Sequence, residues 1–188
     1  MRPTEAIILA AGESARMVTD LPKVLHEVCG RPMLAYVLDA CRDAGIQHIL
    51  VVIGDHKESV TSAFADQSDI TWVQQTEGRY GTGHAVMCCR DALADGQGDV
   101  VVVAGDMPLV TAETLRLLIE THQHENSAVT LATAVLDDPT GYGRIVRDAY
   151  GNLQGIVEHA DCDEKQLQIK EVNPSYYCFE KHRLFEAL

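Results

Sequence analysis

Apolar residues along this chain follow two alternating rhythms. Ile7-Ile8-Leu9, Ile49-Leu50-Val51-Val52-Ile53 and Val100-Val101-Val102-Val103 are unbroken apolar runs, the pattern of strands covered on both faces in a parallel sheet. Between such runs the spacing lengthens to that of a helix. Met33, Leu34, Val37, Leu38 and Cys41 recur at helical intervals after Gly30-Arg31-Pro32, and Gly45 stands where that helix should stop. The same reading predicts strands over residues 5–10, 70–74 and 129–135, and helices over 57–65, 83–94 and 111–124. The valine run at 100–103 reads as the most buried strand of all. Four consecutive strand and helix alternations predict an α/β fold of three layers, with a mostly parallel central sheet and right-handed crossovers.

After Val135 the pattern changes. Asp137-Asp138-Pro139-Thr140-Gly141-Tyr142-Gly143 is rich in turn formers, and Arg144-Ile145-Val146-Arg147 pairs naturally with Leu153-Gln154-Gly155-Ile156-Val157 across the turn at 148–152. This predicts a β-hairpin added to the α/β core. No internal repeat, low-complexity tract or linker interrupts the 188 residues, which suit one domain, 1–188, with a real core. The stretch 180–188 reads as a helix that reaches Leu188 without a Gly, Pro or polar stop. A longer parent chain is therefore expected.

Charge and composition narrow the partners. No apolar run approaches the ~20 residues of a membrane span, and the N-terminus lacks the order of a signal peptide, so a cytoplasmic protein is expected. A formal net charge of −13 argues against a nucleic-acid or anionic-membrane surface, because both need clustered Lys and Arg. A phosphate ligand must then be met by local cations and metal. The six cysteines show no C-x-x-C pair and no zinc spacing, and reduced, mostly buried thiols are expected. His122 and His124, two apart on a helix, should point about 200° apart. Both are expected at the surface near a helix end, without a metal role.

The candidate chemistry sits where predicted strands end. Ile7-Ile8-Leu9 opens into Ala10-Ala11-Gly12-Glu13-Ser14-Ala15-Arg16-Met17 and then Leu21-Pro22-Lys23. A loop of small residues lets backbone N–H groups approach a ligand closely, and Arg16 and Lys23 add two positive charges, an arrangement suited to a polyphosphate. Gln75 precedes Gly81-Thr82-Gly83-His84-Ala85. Glycines at a helix start expose unpaired N–H groups, and a glutamine amide carries both a donor and an acceptor for a nucleobase edge. Asp106, in Gly105-Asp106-Met107-Pro108-Leu109, follows the valine strand, where open α/β sheets bind ligands. A single carboxylate there suits Mg²⁺, which takes few protein ligands and completes its shell with phosphate oxygens and water.

In order and spacing over residues 6–173, these segments resemble the motifs of the sugar-nucleotide pyrophosphorylases. The resemblance covers the opening loop with its Pro22-Lys23, the Gln75 to Ala85 segment, Gly105 to Leu109, Asp138-Pro139-Thr140-Gly141-Tyr142-Gly143-Arg144-Ile145 and Gly155-Ile156-Val157-Glu158. Within that family the combination is most similar to the uridylyltransferases that make UDP-N-acetylglucosamine. Ser14 and Ala15 depart from the family's usual Gly and Thr, and Pro174 after Asn173 departs from its E-x-N-T-G.

The resemblance implies a Rossmann-like nucleotidyltransferase fold and an Mg²⁺-dependent transfer from UTP to N-acetylglucosamine 1-phosphate, releasing pyrophosphate, for cell-envelope polysaccharide synthesis. It assigns Leu9, Ala10, Ala11, Gly12, Gln75, Gly81 and Thr82 to the nucleotide, with Gln75 and Thr82 on the uracil ring. Arg16 and Lys23 take the catalytic phosphate contacts, Asp106 the metal, and Gly143, Glu158 and Asn173 the sugar. It further implies a second metal ligand, an asparagine, beyond Leu188, so that the 188 residues alone should bind uridine nucleotides weakly and turn over slowly or not at all. A homo-oligomer is implied if the parent protein carries a C-terminal β-helix. Two alternatives keep the phosphate loop: a nucleotidyltransferase of the same fold with another sugar-phosphate, an alcohol-phosphate or a molybdopterin-type acceptor, and a nucleotide-binding relative without activity.

Overall fold

A computed structural model describes residues 2–12, 19–75, 81–93 and 97–188. In chain order its elements are β1 (Thr4–Ala10), β2 (Glu27–Val28), β3 (Arg31–Pro32), α1 (Met33–Asp43), β4 (Ile49–Ile53), α2 (Lys57–Ala63), β5 (Ile70–Gln74), α3 (Thr82–Met87), β6 (Asp99–Ala104), α4 (Ala112–Glu125), β7 (Val129–Leu131), β8 (Ala134–Val135), β9 (Gly143–Arg147), β10 (Leu153–Val157), β11 (Glu171–Asn173), β12 (Tyr177–Glu180) and α5 (Lys181–Ala187). They fall into two compact units, Met1–Thr130 with Tyr177–Leu188, and Leu131–Tyr176.

The first unit is built on a sheet ordered β5-β4-β1-β6-β12-β7. β5, β4, β1 and β6 are parallel, and β12 runs antiparallel beside β6. The continuous apolar runs behave as their sequence requires: every residue of β4 is buried, as are all of β6 except Ala104. Alternate side chains separate the two faces. Ile7, Leu50, Val52, Val100 and Val102 pack with Ala85, Val86, Cys89, Leu93 and Leu184 on one side. The intervening Ile8, Val51 and Val101, also buried, point to the other, where α1 packs against β1 and α4. Helices on both faces complete the expected three layers.

α1 ends as its sequence predicts, with Gly45 at φ +89°, a left-handed conformation that favours glycine. Two other predicted elements are divided. The helix expected over 83–94 runs only from Thr82 to Met87, and Leu93 belongs to a separate 3₁₀ turn, Asp91–Leu93. Bonds of i to i−3 type from Cys89 to Val86 and from Arg90 to Met87 tighten the chain there. The strand expected over 129–135 separates into β7 in the first sheet and β8 in the second.

His122 corrects another expectation. It is fully buried on α4, whereas His124 is exposed, as residues two apart on a helix must differ. Its Nδ1 lies 3.0 Å from Thr130 Oγ1, and its Nε2 lies 3.4 Å from Asp99 Oδ1. Burial holds the imidazole below its ordinary titration range, opposed by the neighbouring Asp99 carboxylate. The cysteines are all unpaired; Cys41, Cys89 and Cys178 are buried, Cys88 and Cys162 partly so, and Cys29 is exposed. Burial pushes each of the three buried thiols up to about 12.

The second unit holds the sheet β10-β9-β11-β8. Its β9–β10 hairpin is the predicted one, antiparallel from Arg147 opposite Leu153 to Arg144 opposite Val157. Asp148 closes the turn by accepting from the Tyr150 and Asn152 amides at 2.9 and 2.8 Å.

Candidate active site

The order β5-β4-β1-β6 reverses direction at β1, with connections leaving to one side through β4 and to the other through β6. At such a switch point two adjacent parallel strands end with their loops turned apart, and the crevice between them is where open α/β sheets bind ligands. Leu9 and Ala10 close β1, Ala11 and Gly12 follow it, Gly105 and Asp106 follow β6, and Gln75 follows β5. All these candidates therefore stand at the carboxyl ends of parallel strands.

Close backbone approach assembles this edge. The Gly105 amide donates to the Leu9 carbonyl at 2.8 Å. A Cβ at Gly105 would meet that carbonyl oxygen at 3.2 Å, Val24 Cγ1 at 3.2 Å and Ile8 Cγ2 at 3.3 Å. Gly54, just past β4, would meet the Ala11 carbonyl oxygen at 3.0 Å. Gly54 is thus a part of the site that the motifs do not contain, and Gly105 stands in its motif without an assigned role. The available signal was a glycine directly after a buried strand, and its weight depends on neighbours that only the folded chain supplies.

Val24 also explains where Lys23 goes. Residues Lys23–Leu25 form one 3₁₀ turn, with the Leu25 amide donating to the Pro22 carbonyl at 2.9 Å. Buried Val24 fixes that turn beside Gly105, and Lys23 forms an ion pair with Asp106. Both side chains keep part of their surface, 38% for Lys23 and 25% for Asp106. The structure thus brings together the two groups assigned to phosphate and metal, paired with each other.

Gln75 is anchored by its amide N–H, which donates to the Ile53 carbonyl at 2.8 Å. Its side-chain nitrogen lies 3.3 Å from the Gly81 carbonyl and 3.2 Å from His84 Nδ1. Gln75, Gly81 and the start of α3 at Thr82 therefore converge. Gly81 has φ +140°, and Thr82 is exposed at the first turn of the helix. His84, which stands in the same motif without an assigned role, is a neighbour of Gln75. Arg16 lies outside the described residues, as do Glu13 to Met17 of the same loop and Thr76 and Glu77.

In the second unit the three residues assigned to the sugar form one row. Asn173 of β11 is paired with Gly143 of β9, and Glu158 directly follows Val157, which pairs with Arg144. A Cβ at Gly143 would stand 3.3 Å from Glu158 Oε1 and 3.1 Å from Ile156 Cγ2. The absent side chain leaves the Glu158 carboxylate room over the strand. Asn173 Oδ1 accepts from the Ser175 amide at 3.0 Å, so a side-chain turn spans Pro174. Asp138, before this row, accepts from the Thr140 amide at 3.1 Å. Hydrogen bonds from Thr140 hold its carboxyl below the usual range, helped by Arg144.

Among the described residues no cluster of three or more His, Cys, Asp or Glu side chains could hold a metal ion. Asp106 stands as a single, partly exposed oxygen donor. That donor set fits a hard cation that keeps phosphate and water ligands, and does not fit zinc. Among the described residues, no helix is long and apolar enough to cross a membrane.

Comparison with known proteins gives the family and relatives of the chain. The family model for the MobA-like NTP transferase domain matches residues 6–167. The chain is 46% identical over 183 residues to the bifunctional protein GlmU of Geobacillus sp., covering 97% of this chain and 39% of that protein. It is 46% identical over 188 residues to GlmU of Heliobacterium modesticaldum, covering 100% and 40%. For GlmU of Geotalea daltonii the identity is 42%, covering 100% and 41%. The chain thus spans about 40% of the length of these relatives. Among solved structures, one described as a glucose-1-phosphate thymidylyltransferase from Bacillus anthracis superposes with a TM-score of 0.76 at 19% identity, covering 95% of this chain and 72% of that one.

Proposed function

Since this chain belongs to the MobA-like NTP transferase domain family, and is by fold and family a nucleotidyltransferase domain, we propose that it transfers a uridylyl group from UTP to N-acetylglucosamine 1-phosphate. The observation that carries this reading is the placement of Lys23 and Asp106 against each other at the switch point between β1 and β6. A cation for phosphate and a carboxylate for metal meet there beside a glycine-lined backbone edge. The similarity to GlmU proteins over the whole chain supports it.

The chemistry asks little covalent work of the protein. An oxygen of the sugar phosphate attacks the α-phosphorus of UTP, the bond from that phosphorus to the bridging oxygen breaks, and pyrophosphate leaves. Catalysis is then positioning and charge neutralisation. The Leu9 to Gly12 edge receives the nucleotide backbone to backbone, and Gln75, Gly81 and Thr82 read the uracil ring. Lys23 offsets charge on the α- and sugar phosphates; Arg16 offsets it on the leaving pyrophosphate. Mg²⁺, held by Asp106, would supply further charge neutralisation on the phosphates. Gly143, Glu158 and Asn173 bind the sugar.

The test is a panel of each NTP with Mg²⁺ against N-acetylglucosamine 1-phosphate, glucose 1-phosphate, an alcohol phosphate and molybdopterin, followed by pyrophosphate release and product mass. UDP-N-acetylglucosamine should be the main product, formed slowly. A different acceptor taken at higher rate would replace the assigned one, and nucleotide binding without any product would make the chain a binding module.

A further inference from the structure

A buried arginine in the second unit has no role in the reaction as described. Arg144 is 1% exposed, and burying a guanidinium is costly unless something holds it. Its partners are unusual for a buried charge. Nη1 donates to the Tyr142 carbonyl, and Nη2 lies 3.3 Å from His159 Nδ1, while Nε is buried with no hydrogen-bond partner among the described residues. Because a guanidinium only donates, Nδ1 must accept, so the ring is neutral with its proton on Nε2. The Asp138 carboxylate, held down in part by Arg144, supplies the nearby countercharge.

The two acceptors flank two of the three residues assigned to the sugar. Tyr142 directly precedes Gly143, and His159 directly follows Glu158. The β9–β10 ladder ends at Val157 opposite Arg144, so no further β10 pairing fixes Glu158 against Gly143. We propose that Arg144, acting with neutral His159, is a positioning residue that takes over where the ladder stops and holds the Glu158 carboxylate and the Gly143 backbone at their separation for the sugar. Such a clamp sets sugar affinity without touching sugar. It leaves nucleotide affinity alone.

This inference rests on the assignment of the sugar to Gly143, Glu158 and Asn173. The experiment is calorimetric titration of the chain with UDP and with UDP-N-acetylglucosamine, for wild type, Arg144→Met, His159→Leu and His159→Gln. His159 is only partly buried, so its variants test the clamp even if Arg144→Met unfolds. Wild type should prefer the UDP-sugar; His159→Leu and folded Arg144→Met should lose about tenfold of that preference, about 1.4 kcal/mol, with UDP affinity unchanged. His159→Gln, whose side-chain oxygen can accept from Arg144, should restore most of it. A preference unchanged in His159→Leu would overturn the positioning role, as would equal losses for UDP and the UDP-sugar. A wild type that binds UDP yet shows no preference for the sugar would overturn the sugar assignment itself and the clamp with it.

Discussion

At the scale of single residues, the Lys23 and Asp106 pair has a consequence for binding. Each group neutralises the other, so under the proposed function metal-free UTP would have to draw Lys23 away from a carboxylate that also repels phosphate. Asp106→Asn should therefore bind UTP at least as tightly as wild type in EDTA, and more weakly than wild type in Mg²⁺. Titrations under the two conditions decide this, and weaker binding in both would contradict it. Lys23→Ala should lower kcat/KM by on the order of 10² or more, because it removes a donor aimed at transition-state charge. Both residue types were legible in their motifs. Their pairing was not, because it depends on Val24 packing beside Gly105. His122 was misread for a related reason: its place near a helix end suggested solvent, whereas the partners that bury it, Asp99 and Thr130, come from β6 and β7. Its titration is depressed below the ordinary 6.5, so the unfolded chain takes up that proton first as pH falls. Stability from this site is intact above 6.5 and declines below it. Thermal melts should show a steeper loss between pH 7.5 and 5.5 for wild type than for His122→Gln, and parallel losses would contradict it.

Among the elements, those with long or continuous apolar patterns were read well, and those defined by distant partners were not. β4 and β5 have the predicted limits, β4 because a continuous apolar run has one way to be buried in a parallel sheet. The hairpin of β9 and β10 followed from its turn. α3 was drawn too long because Ala85, Val86, Cys89 and Leu93 share one cluster, and their spacing is the same whether the backbone stays α-helical or tightens after Met87. β11 and β12 escaped notice, since segments of three or four residues take their structure from pairing more than from pattern. Local devices can still be tested singly. Thr111 caps α4 by accepting from the Thr114 amide at 3.2 Å, and Thr111→Ala should cost about 1 kcal/mol in urea unfolding. Gly98 has φ +92°, and a Cβ there would collide with the Pro3 carbonyl. Gly98→Ala should cost more than Thr111→Ala, roughly 2 kcal/mol or above; equal midpoints for the two variants would contradict the collision.

Across the whole molecule, a net charge of −13 would leave phosphate recognition to local groups, and the described candidates for it stand at the carboxyl ends of the parallel strands of one sheet. The fold class was legible because alternating strand and helix periods leave few topologies. The division into two compact units was not, because no linker marks it: one apolar stretch, 129–135, contributes a strand to each sheet. The central claim is that the edge formed by β1, β5 and β6 is a uridine nucleotide site. Its most direct test is calorimetric binding of UTP, CTP, ATP and GTP to this chain and to Gln75→Ala. The account predicts UTP bound about tenfold or more tightly than the others, and that preference largely lost in Gln75→Ala with the effect of Mg²⁺ retained, since a base contact of a few hydrogen bonds separates ligands by about that factor. Equal affinity for the four nucleotides, or an unchanged preference in Gln75→Ala, would contradict it.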